Sequence, residues 1–200
     1  MTSILVVCTG NICRSPIAEG LLREALRVRF GDEAPAVSSA GTAGLEGRPA
    51  TPEAVEAARE RGTDISGHVA REVTEPMVGD ADVVVTMTRE QREELRAIAP
   101  AVAVFTLKEL VRVLESLPPG ANDAATTPER REAGARARAA GFVGNPADED
   151  VADPLGLPLE SYRAIAWEID EWTDRLVDGL YGADSAPDVQ PNVQPNVQEA

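Results

Sequence analysis

The only two cysteines of the chain lie five residues apart in one stretch, VVCTGNICRSPIAEG, residues 6–20. Cys8 follows an apolar run, Cys13 precedes Arg14, and Thr9, Gly10, Asn11 and Ile12 fill the space between. A strand that feeds a tight loop, and a loop that feeds a helix N-terminus, converge several backbone N–H groups on one oxyanion. Gly10 and Asn11 both tolerate positive φ, which a curled loop requires. Arg14 can return a planar fork to two phosphate oxygens. The same positive field favours the thiolate of Cys8, the form that attacks phosphorus.

Other readings compete for these residues. Free cysteine often serves as a small buried hydrophobe, and C-x5-R is short enough to arise by chance. Placed between a strand and a helix, the whole string C-T-G-N-I-C-R-S-P favours chemistry. It is not a Walker nucleotide loop, because it contains no lysine. With a single histidine in the chain, C-x4-C is at best half of a metal-ligand set, so no metal and no cofactor is expected. A Cys-His protease dyad through His68 is formally available but leaves Arg14 without a role.

The elements that must position this loop follow from periodicity. Residues 3–7, SILVV, form a β-branched apolar run typical of a strand buried on both faces of a parallel sheet. Ile17, Ala18, Leu21, Leu22, Ala25 and Leu26 recur at helical spacing, with a start near Ser15 or Pro16. AVSSAGT offers a second strand and a glycine turn, and Thr51–Arg61 reads as a helix that Gly62 ends. ADVVVTM is a third strand, Thr88–Ile98 a helix closed by Pro100, and VAVF the start of a fourth strand. A last amphipathic helix runs from about Pro158 to Leu180.

This alternation predicts a doubly wound α/β sheet, in which ligands bind beyond the carboxyl ends of the strands, where the cysteine loop lies. Residues 1–181 are expected to form one domain, with an insertion-like segment at about 116–150. The tail 182–200, with its VQPNVQPNVQ repeat, is expected to be disordered.

Composition excludes several classes. An apolar fraction of 43% suits a globular domain, and the longest apolar runs are strand-sized, so no membrane association is expected. The N-terminus lacks the basic region and long apolar stretch of a signal peptide, and two cysteines make no disulfide framework. A cytoplasmic protein is therefore expected, with a monomer as the plain default. A net charge of -15 argues against nucleic-acid binding, which needs basic patches. Residues 1–30 nevertheless carry Arg14, Arg23, Arg27 and Arg29 against Glu19 and Glu24, a local positive excess able to draw an anion if the arginines share a face.

The string around Cys8 resembles the C-x5-R-S signature of the low-molecular-weight protein tyrosine phosphatase family. SSAGT (38–42), DISGHVAR (64–71) and an Asp-Pro pair before the last helix, Asp153-Pro154, match further landmarks in order and type. The resemblance implies a four-stranded parallel sheet with helices on both faces, a three-layer sandwich. It implies Cys8 as the nucleophile that forms a phosphocysteine, Arg14 as the phosphate-binding fork and Asp153 as the general acid and base. Thr9, Gly10, Asn11, Ile12, Cys13 and Ser15 would surround the phosphate, with Ser15 bonded to the Cys8 sulfur. Asn11, Ser39 and His68 would hold the shape of the loop. Leu155-Gly156 replaces the aromatic residue that many relatives carry after the Asp-Pro pair, so Leu155 and Leu45 are the expected pocket walls.

Three relatives share such a loop. Arginine phosphatases of the family carry threonine where this chain has Ile12, and arsenate reductases need further cysteines that are absent after Cys13. Phosphotyrosine hydrolysis therefore leads, with a phosphotyrosine-containing protein, a kinase or its substrate, as partner. Cys13 would give Cys8 a reversible disulfide partner during oxidation. A catalytically weak phosphoprotein-binding module is the alternative from a different class.

Overall fold

The computed structural model describes residues 3–117, 132 and 148–182. Four parallel strands, β1 (Ser3–Cys8), β2 (Ala36–Gly41), β3 (Val83–Thr86) and β4 (Val104–Thr106), form one sheet in the order β2-β1-β3-β4. Helices α1 (Arg14–Phe30), α2 (Pro52–Glu60), α3 (Glu75–Asp80), α4 (Arg89–Ile98), α5 (Leu107–Glu115) and α6 (Leu159–Tyr181) cover it. The expected four-stranded, doubly wound architecture is observed.

Strand periodicity sorts the core into two layers. Ile4, Val6 and Cys8 of β1 face a cluster with Ile17, Leu21 and Leu22 of α1, Leu110 and Leu114 of α5, and Ile169 and Leu176 of α6. Leu5 and Val7 face the opposite layer, with Val78 of α3 and Leu95 of α4. Burial on both faces explains why these strands read as unbroken apolar runs. It also fixes Cys8 on the α1 side, at the carboxyl end of a central strand.

Two helices escaped the sequence reading, α3 and α5. Both are announced by threonine caps. Thr74 Oγ1 accepts from Met77 N at the start of α3. At α5 the Thr106 and Glu109 side chains form a reciprocal capping box that begins directly at the end of β4. The expected insertion and tail lie largely outside the described residues. Asp148–Asp150, assigned to that insertion, are bonded into the fold as described below.

Candidate active site

The loop is anchored from outside through the carbonyls of residues 8–12, and Cys13 O begins the hydrogen-bond ladder of α1. The oxygens of Cys8, Thr9 and Gly10 accept from the amides of Thr42, Ala43 and Leu45 at 2.9, 3.0 and 3.1 Å. Asn11 O accepts from His68 Nε2 at 2.7 Å, Ile12 O from Thr51 N at 2.9 Å and Cys13 O from Ile17 N at 3.2 Å. Across a trans peptide the N–H points opposite the carbonyl. The amides of residues 9–14 are therefore directed away from these anchors, toward the concave side of the loop and the N-terminus of α1.

Only one of the two residues expected at positive φ adopts it. Asn11 has φ 55°, whereas Gly10 is not left-handed and a Cβ there would meet only ordinary contacts, at 3.5 Å from Ile12. The glycine that the loop demands is Gly41, where a Cβ would lie 2.3 Å from Thr9 O. Close approach of β2 to the loop, not loop curvature, sets that requirement.

Asn11, itself fully buried, is the hub of a hydrogen-bond network. Its Nδ2 donates to Ser15 Oγ at 2.9 Å and to Ser39 Oγ at 2.8 Å, and its Oδ1 accepts from Arg71 N at 2.9 Å. Ser39 then donates to Glu19 Oε2 at 2.5 Å. Because Asn11 supplies the donor, the Ser15 hydroxyl keeps its own proton, with Cys8 Sγ at 3.0 Å and Ala40 O at 3.4 Å within its reach. Glu19, Arg71 and Gln91, whose Nε2 donates to Thr9 Oγ1 at 3.0 Å, complete the support and were not anticipated. Their signal in the sequence was weak, since each looks like a solvated polar residue until the chain closes on itself.

Arg14 is 3% exposed. One terminal nitrogen donates to Val151 O at 3.0 Å and the other to Asp153 Oδ2 at 2.7 Å. Its Nε is buried and has no hydrogen-bond partner among the described residues. Asp153 is also held through Oδ1, which accepts from Leu155 N at 3.1 Å. Arg23, Arg27 and Arg29 do not join Arg14. They pair with Glu19, Glu24 and Asp178, and of these four arginines only Arg14 lines the cavity.

Cys8, Arg14, Asp153, Leu45 and Leu155, with Thr9, Gly10, Ile12, Cys13 and Ala43, line one cavity of about 290 Å³. Leu45 and Leu155 are 45% and 55% exposed and stand at its sides. Ser15, Ser39 and His68 lie behind the loop, outside this lining. Cys13 Sγ is 3.7 Å from both Thr51 Oγ1 and Tyr162 OH. Burial pushes its thiol up, beyond what those two hydrogen bonds offset. Both cysteines are free thiols.

A strand–loop–helix cradle with a buried arginine fork and a thiol at its base, on a four-stranded parallel sheet, defines a phosphate-handling α/β protein. The family model described as low molecular weight phosphotyrosine protein phosphatase matches residues 3–125. The chain belongs to that family, and by membership it is a phosphoric monoester hydrolase. It is 46% identical over 112 residues to a probable low molecular weight protein-tyrosine-phosphatase, EpsP, of Ralstonia solanacearum, covering 54% of this chain and 72% of that one. The solved low molecular weight protein tyrosine phosphatase of T. tengcongensis superposes with a TM-score of 0.67 at 33% identity, over 90% of this chain and all of the other. The YwlE arginine phosphatase of Geobacillus stearothermophilus superposes with a TM-score of 0.66 at 29% identity, over 90% and 93% of the two chains.

Proposed function

We propose that this chain hydrolyses phosphotyrosine in proteins in two displacements through a phosphocysteine at Cys8. The buried, unpartnered Nε of Arg14 carries the reading, because a donor in such a place needs an acceptor that arrives with the ligand. A phosphoryl oxygen meets that need, and the inward-directed amides of residues 9–14 supply further donors.

In the first displacement the Cys8 thiolate attacks phosphorus and the bond to the tyrosyl oxygen breaks. Asp153, entering as the carboxylic acid, gives its proton to that oxygen. The incoming phosphate competes with Asp153 for the Arg14 fork, which frees Oδ2, while Leu155 N keeps the carboxyl at the pocket mouth through Oδ1. In the second displacement the Asp153 carboxylate takes a proton from water as that water attacks phosphorus. The S–P bond breaks, phosphate leaves, and the Ser15 hydroxyl at 3.0 Å stabilises the departing thiolate.

A phosphoarginine substrate is the second reading, favoured by the likeness to the Geobacillus arginine phosphatase. Ile12 counts against it, since its apolar side chain in the cavity lining suits an aromatic ring and offers no hydroxyl to a guanidinium. We take residues 1–181 as the catalytic unit, because Arg29 of α1 closes on the carbonyl of Tyr181, the last residue of α6, at 3.0 Å.

Turnover of matched phosphotyrosine and phosphoarginine peptides by wild type, Cys8→Ser and Asp153→Asn tests the scheme. Cys8→Ser should lose turnover while still binding phosphotyrosine peptide. Asp153→Asn should slow poor leaving groups more than good ones, by a factor within the roughly 10²–10⁴ range of general acid catalysis. Equal inactivity of wild type and Cys8→Ser with retained peptide binding would instead make the protein a binding module.

A further inference from the structure

The loop that carries Asp153 offers the core only Val151 and Pro154 beyond its charged start. What fixes that start is a set of basic side chains from α4 and α5. Arg89 reaches Asp150 through its backbone amide at 2.8 Å and its guanidinium at 3.2–3.3 Å. Arg92 lies 2.8 Å from Glu109 and 3.7 Å from Glu149. Arg112 donates to the carbonyl of Asp148 at 3.1 Å and to its carboxylate at 2.7 Å.

Lys108 stands at the centre and differs from the others in burial. Its side chain is 2% exposed, yet its ammonium meets Asp148 Oδ1 at 2.8 Å, the carbonyl of Asp150 at 3.3 Å and Glu168 Oε1 of α6 at 2.5 Å. It also stands 5.7 Å from the centroid of the Trp172 ring. Burying an ammonium is costly, and a well-packed apolar side chain there would often stabilise a fold as well or better. The three oxygens it joins belong to two segments, the start of the acid loop and α6.

We propose that Lys108 is a positioning residue: its buried ammonium, bonded to Asp148 and to the carbonyl of Asp150, sets where the following residues run and so where Asp153 meets the leaving oxygen. The inference rests on the reading of Asp153 as the general acid. Val151, next along the chain, donates its amide to Met87 O at 2.8 Å and accepts from Arg14 at 3.0 Å, so the register fixed at Asp148–Asp150 passes directly to the catalytic fork. Misplacement of a reacting group by about 1 Å can cost on the order of 10²-fold in rate.

The test compares kcat/KM for phenyl phosphate, a poor leaving group, with that for 2,4-dinitrophenyl phosphate, a good one. Lys108→Met should lower the first by about 10-fold or more and the second by less than about 3-fold, a partial form of the loss of acid catalysis. Asp148→Asn approaches the same bond from its solvent side, buries no uncompensated charge, and should give the same pattern more weakly even if Lys108→Met folds poorly. Combined, the two changes should be less than additive. Asp153→Asn serves as the reference. If Asp153→Asn discriminates between the two substrates but the folded Lys108 and Asp148 variants slow both equally or not at all, the positioning role is refuted and the acid assignment stands. If Asp153→Asn itself fails to discriminate, the acid assignment is refuted and the positioning role goes with it.

Discussion

The two loops that meet at the pocket are held by opposite means. Residues 8–15 rest on backbone amides and on hydrogen bonds among Asn11, Ser15 and Ser39, which reach charged side chains only beyond Ser39, at Glu19 and Arg71. Residues 148–153 rest on ion pairs and charged hydrogen bonds to Arg14, Arg89, Arg92, Lys108 and Arg112, several of them half open to water. The contrast matches the tasks proposed for them. A cradle for an oxyanion works best when its dipoles are fixed before the substrate arrives. The acid loop must surrender one contact, Asp153 with Arg14, each time a phosphate enters. The exchange leaves the buried Arg14 guanidinium paired with the incoming phosphate, while the Asp153 side chain, 46% exposed, turns to water.

The sharpest way to break this comparison is to remove the centre of the neutral network. Asn11→Ala deletes hydrogen bonds to Ser15, Ser39 and the Arg71 amide and places a Cβ residue with no local side-chain compensation at φ 55°. Leaving buried partners unsatisfied costs about 1–3 kcal/mol, and left-handed backbone about 1–2 kcal/mol more. Asn11→Gly relieves the backbone part alone. Urea denaturation should rank wild type above Asn11→Gly above Asn11→Ala, with the alanine variant lower by at least about 2 kcal/mol. Equal midpoints for the two variants would mean that the loop stores no backbone strain at this position.

How much of this was legible follows from the range of the interactions. Cys8 and Arg14 could be read because β1, the loop and α1 are contiguous in sequence. The roles of Ser15, Asn11, Ser39 and His68 came only through the family resemblance, and the remaining supports could not be read. Glu19 looks like an ordinary exposed helix residue, and it becomes part of the loop only when β2 brings Ser39 against it. Lys108 and Arg112 gain their partners only when the chain returns at Asp148, 36 to 40 residues later. Gly10 drew attention for its flexibility, while the close approach that needs a glycine lies at Gly41, 31 residues later. Whether the arginines of residues 1–30 share a face was left open by the sequence; in the fold Arg23, Arg27 and Arg29 pair with Glu19, Glu24 and Asp178, and only Arg14 lines the cavity. Helix α5 was missed although Thr106 and Glu109 carry its start signal, since the strand reading was not continued past VAVF.

A change of intermediate size concerns what the acid loop presents to the substrate. Leu155 faces the cavity opposite Leu45 and offers area without a ring face. Leu155→Phe should add an aromatic contact to the phosphotyrosine ring worth about 0.5–1.5 kcal/mol. That corresponds to a fall in KM for an aryl phosphate of about 2- to 10-fold. Inhibition by inorganic phosphate, which has no ring, should not change. An equal gain for phosphate would place the effect in the cradle and remove Leu155 from the wall.

The smallest expected effect tests whether the acid loop is held by charge. The hydrogen bond from Lys108 keeps the Asp148 carboxyl below its ordinary value of 3.8. Burial weighs against the ammonium of Lys108, but Asp148 and Glu168 outweigh it and keep its pKa above the ordinary 10.5. A lowered carboxyl contributes stability above its unfolded pKa and loses it as pH falls through the folded one. A raised ammonium contributes below its unfolded pKa and loses it as pH rises through the folded one. Both contributions are therefore complete between about pH 5 and 9. The melting-temperature difference between wild type and Asp148→Asn should be constant across that window and shrink below pH 3.8 as the wild-type carboxyl takes up its proton. Because Asp148 is 54% exposed, the difference should amount to no more than a few degrees and should narrow further in molar salt. The corresponding difference for Asn11→Ala, which involves no charge, should be indifferent to salt. If salt moved both equally, the division between a neutral cradle and an ionic acid loop would fail.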